Sequence, residues 1–155
     1  MSTASVADRL QVALKGAFCH GPVPEAEIQK AEVQLGVQFP PSLRLFLSAH
    51  GAALGDGYEL AGLPQLDRAW PERTPQWSDL VAVTVRARMR PASTLMPQFL
   101  CVAHDGAECA YLLNTAVVDR DGECPVVALE PGRNYEQVAD SFVEFAERIA
   151  GGKWL

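Results

Sequence analysis

Apolar residues recur at helical spacing from the start of the chain. Val6, Leu10, Ala13, Leu14, Ala17 and Phe18 fall on one face, which predicts a helix from about Ser5 to Phe18. Ser5 with Asp8 three residues on resembles a capping box, with Asp in place of the usual Glu or Gln. Gly21-Pro22-Val23-Pro24 then breaks the chain. A second helix is expected from Pro24, where a missing N–H costs nothing, with Glu25 and Glu27 at its positive end. Ile28, Ala31, Glu32 and Leu35 share one face, and Gly36 supplies a left-handed stop. Phe39-Pro40-Pro41 launches a third helix with Leu43, Phe46 and Leu47 buried and Gly51 as its terminal signal.

The pattern is less regular over 52–75, where Asp56-Gly57 marks a turn and Tyr58–Ala61 a short strand. Pro64, Pro71 and Pro75 exclude long regular structure there. Residues 76–89 carry both periods; Trp77, Leu80, Val81 and Thr84 favour a helix with Thr74-Pro75 as cap and first residue. From Gln98 the period shortens. Phe99–Ala103 reads as a strand, Asp105-Gly106 as a two-residue hairpin turn, Cys109–Leu113 as its return, and Pro125–Leu129 as a third strand after Asp119-Arg-Asp-Gly122. A closing helix is expected over Phe142–Ala150, with Ser141 and Glu144 as a capping box and an apolar stripe of Val138, Phe142, Phe145, Ala146 and Ile149. Helices first, one small antiparallel sheet and a closing helix make an α+β class, expected as a single domain over 1–155.

Composition narrows the function classes. The chain has 155 residues, 48% apolar and 21% charged, enough to bury a core without a staple. No apolar run approaches the ~20 residues of a membrane span, and the N-terminus has no secretory pattern, so no membrane partner is expected and the cytoplasm is the expected compartment. Residues 1–100 hold 9 acidic and 9 basic side chains, and residues 101–155 hold 10 and 4, so the net charge of −6 lies in the last third. Such a surface repels nucleic acid and attracts basic partners; a plain solubility role is the alternative.

Candidate chemistry is sparse. Cys19, Cys101, Cys109 and Cys124 lack CxxC spacing and are expected reduced, the last three packed in the sheet; neither a disulfide framework nor a bound metal is expected. His20, His50 and His104 form no HxxxH spacing, and His50 shares the apolar face of the third helix. No phosphate loop, dinucleotide fingerprint or nucleophile elbow is present, so no cofactor is expected. Arg86, Arg88 and Arg90 spread around a helix end and make no nucleic-acid stripe. Trp70, Trp77 and Trp154 are read as packing residues, Trp154 as the one placed for exposure. Glu32 is the oddest residue. It shares an apolar face, so its carboxylate is expected to accept hydrogen bonds from N–H groups near Ser42–Leu45 or from the loop before them.

Several of these features occur together in a known order. Ile28, Glu32, Leu35-Gly36, Phe39-Pro40, the Leu43–Leu47 helix with His50-Gly51, Phe99–Gly106, Tyr111–Thr115, Gly122 with Pro125–Val127, and Phe142–Phe145 resemble the SUKH superfamily over residues 24–150. That superfamily includes fungal cell-wall assembly regulators and bacterial toxin-immunity proteins. The chain departs from the pattern at Ala107-Glu108, where Gly-Asp is common, and at Leu113-Asn114, where Leu-Asp is common. The resemblance implies an α+β domain that binds a protein and is no enzyme, in bacteria often an immunity protein against a toxin. Glu32, Gly36, Pro40, Gly51 and Ser141 are then structural. Asp105, Glu108, Asp119, Asp121 and Glu123 are the candidate surface for a basic toxin, with Tyr58 and the 52–75 segment as the other candidate surface. A regulatory scaffold without a toxin partner shares every one of these features. A small thiol enzyme would need a cysteine beside a histidine, with a depressed pKa.

Overall fold

The computed structural model describes residues 5–64, 78–89, 97–104, 109–130 and 135–152. Helix α1 spans Val6–Ala13, and the Ser5 hydroxyl accepts from the Asp8 N–H at 3.1 Å. The chain turns at Leu14, and β1 (Phe18–Cys19) pairs with β2 (Ala53–Gly55), which pairs with β3 (Tyr58–Leu60). The predicted extension of the first helix to Phe18 is therefore replaced by a two-residue strand. Phe18 fits the helical period but lies opposite Leu54 and is 64% exposed.

Helix α2 (Glu25–Leu35) starts one residue after Pro24, which caps it from outside, and ends at Gly36 with φ 72°. The Gly36 and Val37 N–H groups both donate to the Glu32 carbonyl there. Helix α3 (Pro41–Ala49) follows with Pro40 in the capping position. After it, Gly51 has φ 79° and lies so close to Gly21 that an added Cβ would stand 2.3 Å from the Gly21 carbonyl oxygen. A side chain there would push apart the segments before α2 and after α3.

Helix α4 spans Leu80–Met89, which resolves the two periods read over 76–89 in favour of helix. Its cap differs from the expected Thr74-Pro75, which lies outside the described residues. The Asp79 carboxylate accepts from the Val81 and Ala82 N–H groups at 3.0 and 3.1 Å.

Strands β4 (Phe99–His104), β5 (Ala110–Asn114), β6 (Val126–Leu129) and β7 (Glu136–Ala139) form a four-stranded sheet in that order, every pair antiparallel. His104 pairs with Ala110, so the β4–β5 connection comprises residues 105–109. The two-residue turn predicted at Asp105-Gly106 lies outside the described residues. Helix α5 (Phe142–Ala150) closes the described chain. The result is an α+β fold with two small antiparallel sheets, where one was expected.

One face of the larger sheet joins α1, α2, α3 and α5 in the main core. Phe46 of α3 meets Phe142 of α5 with ring centroids 5.1 Å apart, and Tyr111 of β5 meets Phe145 at 5.2 Å. Phe99, Cys101, Leu112 and Val127 pack with Val83 of α4 on the other face. The register of β4 slips between Cys101 and Ala103. Val102 and Ala103 consequently both serve the main core, and His104 returns to the side of Cys101.

Candidate functional site

The start of α3 organises the region of interest. Pro41 has no N–H, so Ser42 presents the first donor that needs a partner. That partner is Glu123, 81 residues away in the β5–β6 connection. One carboxylate oxygen accepts from the Ser42 N–H at 3.0 Å and the other from its hydroxyl at 2.6 Å. A residue expected at a partner surface is thus half-buried and holds a helix end.

Glu32 works one step earlier. It accepts from the Phe39 N–H at 2.7 Å, which fixes the loop between α2 and α3, and from the Arg44 guanidinium at 2.5 Å. Arg44 also pairs with Glu25. Glu32 thus accepts from the loop before α3, one of the two placements expected of it, and Glu123 serves the Ser42 N–H. Ser141 accepts from the Glu144 N–H at 3.2 Å, while Glu144 reaches back to the Asp140 N–H at 2.9 Å, one residue before the cap.

The β5–β6 connection is tied down along its length. The Thr115 hydroxyl donates to the Gln98 carbonyl at 2.6 Å, and the Asn114 side chain accepts from the Ala116 N–H. The Asp119 carboxylate accepts from the N–H groups of Asp121 and Glu123 at 2.8 and 3.0 Å. Asp119 and Asp121 themselves stay exposed. Asp105 and Glu108 lie outside the described residues. Tyr58, offered by the sequence as a contact residue, is only 6% exposed; its ring lies against Gly55, where no Cβ could stand. Burial pushes its phenol pKa up. It packs the small sheet and presents no free surface.

The thiols point away from nucleophilic chemistry. Cys101, Cys109 and Cys124 are buried and free of disulfides. Cys124 is pushed up to about 11 by burial and then by the charges of Glu123 and Asp119, and burial raises Cys19 as well. An activated thiol needs the opposite shift. Cys101 does meet a histidine, its sulfur 3.7 Å from both ring nitrogens of His104. Yet Cys101 is 1% exposed, and the cavity it shares with Glu59 and His104 holds about 10 Å³, room for a single water at most. Among the described residues no group of three or more His, Cys, Asp or Glu is placed to hold a metal, and no helix is long and apolar enough to cross a membrane.

Two larger depressions remain. One, of about 720 Å³, runs between α2 and α4 and carries both charge signs, Glu27 and Asp79 against Lys30 and Arg86. The other, of about 690 Å³, lies between the α2–α3 loop and the β5–β6 connection.

Sequence reasoning named Ser42 as a donor but not its partner, and it passed over Arg44, Asp79, Val117 and Val118. Asp79 carried a usable signal, an N-cap residue directly before the apolar run Leu80-Val-Ala. The Ser42–Glu123 contact carried none, because nothing local marks a partner 81 residues away.

The described residues thus form an α+β domain with an ordered β5–β6 connection and the exposed carboxylates of Asp119 and Asp121. The family model of the SMI1 / KNR4 family (SUKH-1) matches residues 22–148, and the chain belongs to that family. No curated protein matches the chain.

Proposed function

We propose that this protein is a non-enzymatic binding domain that neutralises a cognate bacterial toxin by direct contact. Membership of a family that includes toxin-immunity proteins carries the reading. The exposed carboxylates of Asp119 and Asp121 support it, since their connection is already ordered and loses little freedom on binding. Asp105 and Glu108 complete the acidic surface in this reading. Its charge would steer a basic toxin into contact, and neutralisation follows from covering the toxin's own working surface.

The test is co-expression with the protein encoded immediately upstream of this chain's gene. Growth restored by the chain, with a stable complex on gel filtration, is the expected result. A toxin that stays active beside abundant folded chain overturns the reading and leaves a regulatory scaffold in its place.

A further inference from the structure

The 690 Å³ groove beside the acidic connection has a chemistry of its own. Its walls include Val37, Phe39, Pro40, Pro97 and Val118, and none of its described lining residues is charged. Val118, which lines it, is 59% exposed, and its neighbour in sequence, Val117, is 52% exposed. Their position is fixed nonetheless. Gly122 lies against the Pro41 ring, where an added Cβ would touch at 3.5 Å, and Glu123 grips Ser42 just beyond. The groove is therefore preformed, with a volume within the usual range for sites that hold a ligand.

Charge selects the occupant. Residues 119–123 carry Asp119, Asp121 and Glu123 against Arg120, three acidic to one basic, a local net charge of −2. The larger groove between α2 and α4 balances its signs and selects nothing. We infer that the groove between the α2–α3 loop and the β5–β6 connection takes an aliphatic or aromatic anchor residue of a protein partner, flanked by lysine or arginine that pairs with Asp119 and Asp121. This rests on the protein-binding reading above and names what the partner must present. The apolar anchor supplies affinity, and the flanking charges supply approach and register.

Two synthetic peptides test it on the full chain. The first is Lys-Arg-Leu-Phe-Arg-Lys, and the second, Lys-Arg-Ser-Gly-Arg-Lys, has the same charge and no anchor. Affinity is read by fluorescence anisotropy and location by amide chemical shifts. The anchored peptide is expected to bind roughly tenfold or more tightly than its control, the gain from burying one large apolar side chain. Its shifts should centre on Thr115, Val118 and Gly122. Val117→Asn with Val118→Asn should reduce it to the level of the control without changing the melting temperature, because both side chains are already exposed. Asp121→Lys, which leaves the Asp119 carboxylate on its two N–H groups, should weaken both peptides alike. Equal affinities, no binding by the anchored peptide, or shifts centred elsewhere overturn the inference. So does self-association abolished by the valine substitutions, which would put a second copy in the groove. The peptides report on the groove alone, so a failure here leaves the growth-rescue result, and the toxin reading it tests, standing.

Discussion

Glu123 shows how one side chain can serve the fold while its neighbours stay available. Its two oxygens satisfy the N–H and the hydroxyl of Ser42, so removing them leaves a buried donor at a helix start unpaired. Glu123→Ala is expected to destabilise the protein by about 1–3 kcal/mol, and Asp121→Ala by much less. Urea unfolding at neutral pH measures both. Equal, near-zero losses would show that the Glu123 contact contributes nothing. Glu32→Ala should fall in the same range, about 1–3 kcal/mol, since it frees the Phe39 N–H and leaves Arg44 with one carboxylate fewer. At this scale the local signals were readable from sequence: Ser5 and Ser141 as caps, Gly36 as a left-handed stop. Glu32 was legible as an inward carboxylate because its face is otherwise apolar. Glu123 was not, since Asp-Gly-Glu reads as a turn and its partner is set by tertiary packing.

The elements divide by how strongly the sequence repeats itself. The four helices with one dominant face follow their apolar period, and α5 matches its expected span of Phe142–Ala150. The short strands β1, β2 and β7 escaped: β1 was absorbed into the helical pattern ahead of it, Val138 of β7 into the stripe of the helix after it, and Ala53-Leu-Gly of β2 holds no β-branched or aromatic residue. The His50 ring at the end of α3 stacks on Phe46 with centroids 6.0 Å apart, and burial lowers its pKa below the ordinary 6.5. Burial lowers His20 in the same way. In the unfolded chain both regain the ordinary value and bind protons more readily than in the fold. Stability from these rings is therefore complete above pH 6.5 and declines as the pH falls below it. The melting temperature is expected to drop between pH 6.5 and about 5, above the range where carboxylates titrate. His50→Gln should flatten that slope. An unchanged slope would place the pH dependence in other groups.

The whole molecule concentrates its negative charge in the last third while burying three of its four thiols. With Cys124 near 11, only about a thousandth of it is thiolate at pH 8, and burial blocks access besides. Alkylation of Cys124 in the folded protein should be slower by orders of magnitude than in guanidinium, as mass spectrometry of the labelled peptides would show. Rapid stoichiometric labelling in the fold would revive a thiol chemistry. The α+β class and the acidic asymmetry were legible in composition and order of elements. The groove was not, since its walls come from three separated stretches of chain. The most direct measurement is the association rate of the chain with the immobilised product of the gene immediately upstream, the proposed toxin, at low and high salt, for the native sequence and for Asp119→Lys with Asp121→Lys. Charge reversal is expected to slow association roughly tenfold at low salt, and the gap should narrow as salt rises. Equal rates and an identical salt dependence, with an unchanged melting temperature, would contradict the acidic face as the site of contact.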